Sequence, residues 1–435
     1  MEVVIVGAGT FGASLAWRLA LAGETVTLVD QFEPGDRRAT SGGETRLIRC
    51  SHGADADYTA MARRAQALWR ELEAESGEDL MVECGVAWFA HGDDGWEAAS
   101  ERAMAAQGIP CERIDVAEAA RLFPSFRGDD LASVLLEPDA GVLRAQRAVR
   151  ALAARAAAHG ARIVRARARP DQGGSDPPHP DQGGSDPPRR DHGGANPAAP
   201  RRDQGGSDPP HPDQGGSDPP RTVQGGSDPP WLRSGAVVLD DGTRLEGDAV
   251  VWACGCWLAG LFGPLVRLAV TRQELLFVDG GPAWRAAGVP GWVDYDRAMY
   301  GTADLDGLGV KAALDVEGPP LDPDAELDDE PTTEPAVRAY LRDRFPALEH
   351  APLAEARACR YELSPDSHFV AARHPGHDRV WLVGGGSGHG FKHGPAMAER
   401  VIAAISGDEP LPERFGLGER APARSLRTAG SGVRT

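Results

Sequence analysis

Long apolar runs are missing from this sequence. None approaches the eighteen or so residues that a membrane-spanning helix needs, so no membrane partner is expected. Basic residues are in deficit too, 46 Lys and Arg against 65 Asp and Glu, for a formal net charge of −19. Binding a phosphate backbone takes clustered cations, so this balance argues against a nucleic-acid partner. Cysteine is sparse, with six residues scattered at positions 50, 84, 111, 254, 256 and 359. Cys254-Gly-Cys256 has no second ligand pair nearby, and no metal site is expected there. A strand beginning at residue 2 leaves no room for a signal peptide, and the expected setting is reducing and cytoplasmic.

What the sequence does carry begins at its first residues. Val3 to Val6 read as a buried parallel strand running into Gly7-Ala-Gly9-Thr-Phe-Gly12, and a second apolar run from Thr25 to Val29 ends in Asp30. Gly7 permits a tight turn, Gly9 permits backbone to approach a pyrophosphate, and Gly12 lets the next helix pack on the strand. That helix, expected over 11–21, turns its free N–H groups and positive end toward the phosphates. Asp30 stands where a carboxylate accepts hydrogen bonds from a ribose hydroxyl. The pattern is that of a dinucleotide-binding βαβ unit, and the expected ligand is an adenine dinucleotide, FAD or NAD.

Between Pro170 and Pro230 the composition changes abruptly. Gln-Gly-Gly-Ser-Asp-Pro-Pro starts at Gln172, Gln182, Gln204, Gln214 and Gln224, with a degraded copy at His192. The repeat has nothing apolar to bury, Gly-Gly maximises backbone entropy, and Asp-Pro-Pro forbids regular helix or sheet. A disordered, partly polyproline-like insert at a hairpin tip is expected, between a strand over 161–165 and a strand and turn over 235–244. A docking array for a partner is the alternative use of such a segment. Outside it, helices are expected over 144–159 and 395–405, and further strands end in glycine at Gly255 and Gly384. One nucleotide-binding domain assembled from separated segments follows, with a second domain woven between them.

Two distant stretches gather cations and an aromatic-rich cysteine segment. One is Thr45-Arg46-Leu-Ile-Arg49. The other is Cys359-Arg-Tyr361-Glu-Leu-Ser364-Pro-Asp366-Ser-His-Phe369, followed by Gly388-His389-Gly390-Phe391-Lys392. Cations beside a cofactor turn suggest capture of an anion, Arg as a bidentate fork and Lys as a point charge. His389 and His393 stand four apart like a metal pair, but no carboxylate accompanies them and Gly390 disfavours a helix. No metal is expected, and His389 is expected to pack or hydrogen-bond near the cofactor turn.

With these residues the chain resembles the D-amino-acid-oxidase-like flavoprotein family, in its sarcosine oxidase and N-methyltryptophan oxidase branch, from Met1 to about Phe415 apart from the insert. The resemblance implies FAD on Gly7, Gly9, Gly12, Asp30, Gly255, Gly388 and Lys392. It implies a thioether from Cys359 to the flavin, a substrate carboxylate held by Arg49 and Lys392, and Arg46 close to the flavin ring. Lys311, forty-eight residues before Cys359, matches a lysine that activates oxygen, and Tyr300 matches an active-site tyrosine on the neighbouring strand. A cation there stabilises charge developing on oxygen. Two departures stand out: Gly42 and Asp315 occupy places where the family has histidines on the substrate side. Gly42 is expected to open volume for a bulkier substrate.

The implied fold class is α/β, a discontinuous Rossmann-like FAD-binding domain with a mixed-sheet α+β substrate domain, interrupted by the disordered repeat insert. The expected division assigns 1–85, 138–169, 231–260 and 360–415 to FAD and 86–137 and 261–359 to substrate. Residues 170–230 form the insert and 416–435 a flexible tail. The implied activity is oxidation of a secondary amine or N-methyl amino acid to an imine, with O2 reduced to hydrogen peroxide, by a monomer whose partners are the small amine or amino acid and O2. A flavin dehydrogenase or imine desaturase of a cyclic amino acid, using another acceptor, is the alternative within the fold. A flavin-bearing interaction protein acting through its repeat loop is the alternative outside catalysis.

Overall fold

The structure, a computed structural model, describes residues 1–171, 235–285 and 288–422. The repeat expected as a disordered insert therefore lies outside the described residues, save Pro170 and Asp171, as do the last thirteen residues of the expected tail. Before that point the tail is docked: the Arg420 guanidinium lies 3.1 Å from Asp366 and donates to the carbonyls of His368, Phe369 and Arg414.

Strand Glu2–Val6 lies inside a six-stranded sheet. It pairs in parallel with Thr25–Asp30 on one side and Ala249–Trp252 on the other. Arg162–Arg165 extends the first side and His377–Gly384 the second, both parallel, and Val370–His374 closes the edge antiparallel. Parallel strands are covered on both faces, which is why Val3–Val6 and Ala249–Trp252 are apolar without alternation and buried throughout. Helices Thr10–Leu21, Ala145–Ala158 and Gly394–Ser406 pack together through small residues such as Ala13, Ala16, Ala148 and Ala398.

The second sheet has eight strands, in the order Leu353–Leu363, Ala269–Val278, Val310–Leu314, Met299–Thr302, Gly291–Asp294, Val86–Ala90, Ser133–Glu137 and Glu112–Ile114. All neighbours are antiparallel except Gly291–Asp294 with Val86–Ala90. The expected domain boundary at 359/360 falls inside strand Leu353–Leu363, so residues 360–363 continue this sheet. Register decides what each face carries, because opposed residues share a face and successive ones alternate. Leu276, Val310 and Ala312 face helix Glu334–Arg344 through Val337 and Leu341. The opposite face carries Phe277 against Lys311, Ala313 against Tyr300, and Gln273 against Cys359. That face looks onto the site.

A small sheet of Thr45–Ile48, Gly141–Arg144 and Met81–Val82 presents Arg46 and leads to Arg49. Another pairs Ala168–Pro170 with Val237–Leu239, Pro170 opposite Val237. The chain thus leaves and re-enters the described fold at adjacent points. Arg162–Arg165, expected to flank the insert directly, belongs instead to the six-stranded sheet. The hairpin strand is Ala-Arg-Pro, a tripeptide with no alternation and no N–H on Pro170 to advertise it.

Candidate active site

A cleft with a cavity volume of about 410 Å3 opens at the carboxyl ends of the parallel strands, within the range of small-molecule sites. Gly7, Gly9, Asp30, Gly255 and Gly388 all line it. Gly7 has φ of +104°, and a Cβ there would sit 2.3 Å from the Ala253 carbonyl oxygen; a Cβ on Gly12 would sit 1.8 Å from the Gly7 oxygen. Gly12 therefore acts behind the cleft, by close packing. Helix Thr10–Leu21 starts at Gly9 with no side-chain cap and no acid in its first turn. Its unspent N–H groups are left for an anion. The Asp30 carboxylate accepts from the N–H groups of Ala8 at 2.5 Å and Phe32 at 2.8 Å, while burial pushes its acid form up. The Ser41 hydroxyl is buried against the cleft without a partner. An uncapped helix start, a carboxylate at the second strand's end and an unpartnered hydroxyl fit the pyrophosphate and ribose of FAD.

A smaller cavity, about 60 Å3, shares Arg46, Tyr361, Gly388 and Phe391 with the cleft and adds Arg49, Tyr300, Asp315, His389 and Lys392. Arg46, Arg49, Tyr300 and Lys392, which sequence assigned to catalysis or substrate binding, all line this cavity. Arg49 is buried, donates to the Ser51 carbonyl and lies 4.7 Å from the centre of the Trp88 ring. Burial pushes its guanidinium down to about 10, against the opposing pull of Glu137 and Asp315. The Lys392 ammonium donates to the His389 carbonyl at 2.9 Å, and burial, then the charge of Arg49, holds its pKa well below the usual lysine value. Arg46 donates to the carbonyls of Thr45 and Thr40 at 2.9 and 3.0 Å. The Tyr300 and Tyr361 hydroxyls are 3.3 Å apart.

Lys311 and Cys359 stand outside both cavity linings, on the sheet face just behind them. The Lys311 nitrogen is 3.3 Å from the Thr45 carbonyl and 5.2 Å from the centre of the Tyr300 ring. Burial, then Arg46, pushes it down to about 7. Cys359 packs with Leu275, Phe277 and Ala313, and burial raises its thiol pKa.

Gly42 departs from expectation. A Cβ there would lie 1.9 Å from the Asp36 carbonyl oxygen, and Gly42 lines neither cavity. Its lack of a side chain serves a tight turn, closed by Gly42 N–H to the Ala39 carbonyl at 2.9 Å, and opens no room for substrate. Gly43 is the residue that makes space, because a Cβ there would strike the Arg46 guanidinium at 2.3 Å.

Three groups had been given no role from the sequence. Tyr361 lines both cavities. Glu362 lines the cleft, accepts from Gly386 N–H at 3.0 Å and is pushed up to about 7 by burial. Glu137 is a buried carboxylate accepting from Cys50 N–H at 2.7 Å, Trp88 Nε1 at 2.9 Å and Ser51. An acid ending the apolar run Ser-Val-Leu-Leu-Glu137 was its one sequence signal. The histidine pair acquires a third member, His52, with its Nε2 3.2 Å from that of His393. Burial and then the Lys392 charge hold both rings below the ordinary histidine range. A divalent ion there would face Lys392 and Arg49. His389 bonds the Ser367 carbonyl at 2.9 Å and stacks on Phe369.

Known proteins align along most of this chain. The monomeric sarcosine oxidase of Bacillus sp. (strain B-0618) is 25% identical over 416 residues, covering 92% of this chain and 90% of its own. The N-methyl-L-tryptophan oxidase of Yersinia pestis (strain Pestoides F) is 24% identical over 422 residues, covering 94% and 96%. Among solved structures, L-proline dehydrogenase from P. horikoshii shares the fold with a TM-score of 0.73 and 18% identity, over 95% of this chain and 96% of its own. The described residues contain no helix long and apolar enough to cross a membrane. Residues 2–173 and 230–404 match the FAD dependent oxidoreductase (DAO) family, and the chain belongs to it.

Proposed function

We propose that this FAD-dependent oxidoreductase is an oxidase of a secondary amine, an N-methyl amino acid or a near relative, that converts a C–N bond to an imine and reduces O2 to hydrogen peroxide. The observation that carries this reading is the pairing of Arg49 and Lys392 on the small cavity that opens from the dinucleotide cleft. Two buried basic side chains lining one cavity match a carboxylate, and the names of the sarcosine and N-methyl-L-tryptophan oxidases support an N-methyl amino acid.

FAD, when bound, supplies the two-electron acceptor. Arg49 grips the carboxylate and Lys392 adds a point charge, which fixes the carbon next to the amine in a reactive orientation. Tyr300 and Tyr361 line the same cavity, beside the bound substrate. Lys311 supplies positive charge where O2 takes on negative charge. Cys359 is the proposed covalent tether, and Arg46 the cation beside the ring. The expected assembly is a monomer, with the small amine and O2 as its partners.

Oxygen uptake and peroxide release across N-methyl and cyclic amino acids test the reading. At least one should be consumed with peroxide formed. Reduction by substrate without reoxidation by O2 would make the protein a dehydrogenase, and no reduction by any amino acid would overturn the proposal.

A further inference from the structure

Two carboxylates accompany the buried cations, and they are not equivalent. Glu137 does not line the small cavity. Asp315 does line it, at 7% exposure. Asp315 follows strand Val310–Leu314, where its N–H donates to the Ala298 carbonyl at 2.7 Å. Lying four residues after Lys311, it continues the row Lys311, Ala313, Asp315 on the sheet face shared with Tyr300. The cavity wall thus presents Arg46, Arg49 and Lys392 together with one carboxylate.

An amino acid near neutral pH is a zwitterion, whose ammonium resembles that of lysine and loses its proton near pH 10. Arg49 and Lys392 attract one end of such a molecule and repel the other. A buried ammonium beside like charges is strongly disfavoured unless a carboxylate meets it. Asp315 is the cavity group with that charge.

We propose that Asp315 receives the substrate's ammonium and takes its proton, so that the enzyme accepts amino acids as zwitterions. The inference rests on the amino-acid-oxidase reading above. In the step, an N–H bond breaks, its electron pair stays on nitrogen, and an O–H bond forms on the Asp315 carboxylate; nothing is oxidised or reduced. The freed lone pair can then build the C=N bond as the hydride equivalent leaves the adjacent carbon. The other charged and titratable groups around Asp315 are Tyr300 on the neighbouring strand, Lys311 on its own, Arg46 on Thr45–Ile48 and Arg49 after it, Cys359 and Tyr361 on Leu353–Leu363, and His389 and Lys392 after His377–Gly384. Substrates with a basic amine gain from the arrangement, whereas a second carboxylate near nitrogen is penalised.

The test compares wild type, Asp315→Asn and Asp315→Glu, each as the FAD-loaded full chain. Anaerobic reduction by an N-methyl amino acid is followed from pH 6 to 10.5, and binding of propionate, a carboxylate without an amine, is followed by the flavin spectrum. Asp315→Asn must wait for free amine, so its kcat/KM at pH 7 should fall on the order of 100- to 1000-fold and recover to within a few-fold above pH 10. Propionate should bind Asp315→Asn at least as tightly as wild type, and Asp315→Glu should keep the neutral-pH activity. The proposal is overturned if Asp315→Asn keeps the wild-type pH profile, if it is depressed equally at every pH, or if Asn and Glu behave alike. A wild type that no amino acid reduces would instead sink the oxidase reading.

Discussion

Arg49 lies over the indole of Trp88, its guanidinium carbon 4.7 Å from the ring centre, and the same indole N–H donates to Glu137 at 2.9 Å. The ring supports the cation from one side and ties down the counter-charge from the other. A desolvated cation on a Trp face is worth about 2 kcal/mol, which offsets part of the cost of burying Arg49. Replacing Arg49 or Lys392 by Ala should weaken carboxylate binding by about 2–5 kcal/mol. Anaerobic titration with substrate or propionate measures the loss, and unchanged affinity in both variants would remove the clamp.

Glu137→Gln should destabilise the fold. All its partners here are donors, so one amide face would meet an N–H or O–H with a donor of its own. The unsatisfied contact should cost about 1–3 kcal/mol in urea denaturation. A variant as stable as wild type would show the carboxylate to be dispensable.

Burial brings Lys311 to about 7 from 10.5. Negative charge placed beside it by cofactor or oxygen raises that value, so its titration in the working enzyme lies at or above 7. As pH climbs through it, the cation is lost and reoxidation of the reduced enzyme by O2 should slow, while reduction by substrate is spared. Lys311→Met should be slow to reoxidise at every pH, and Lys311→Arg should flatten the profile because Arg keeps its charge. Stopped-flow mixing of reduced enzyme with O2 reads this directly, and wild-type reoxidation by Lys311→Met would place the oxygen site elsewhere. Stability should move oppositely: between pH 7 and 10.5 the unfolded lysine holds a proton that the folded one has lost, so this residue's penalty shrinks as pH rises.

Yellow colour should remain with the protein after acid precipitation, and Cys359→Ser should release its flavin. Complete loss of flavin from denatured wild type would end the thioether assignment.

Because Pro170 is paired with Val237, residues 172–234 span two adjacent points of the described fold. Replacing them by a short Asn-Gly turn should leave flavin content and turnover within a few-fold, since closing a short hairpin costs no more than closing a long loop. Loss of either would give the repeat a role.

Much of this was legible in the sequence because local rules and spacing carried it. Gly7, Gly9 and Asp30 sit on one βαβ unit, so their meeting at one cleft required no tertiary knowledge. Glu137 and Tyr361 were harder, because their partners lie on strands brought together only by sheet order. Gly42 misled because a glycine reads as empty space when its neighbour is unseen, and here that neighbour is a carbonyl. One signal lay in plain view. Of 46 basic side chains only two are lysines, Lys311 and Lys392, and both are buried behind or on the small cavity. Arginine serves wherever a permanent charge suffices; lysine can shed its proton when buried, and the chain keeps it only there.

The central claim is that a carboxylate-bearing amine is oxidised at the expense of O2. Its most direct measurement is peroxide released from an N-methyl amino acid and from the same compound with its carboxylate converted to a neutral amide. The account predicts near-stoichiometric peroxide from the acid and a kcat/KM for the amide lower by on the order of 30- to 1000-fold, the loss of one desolvated charge pair. Equal turnover of the two would contradict it.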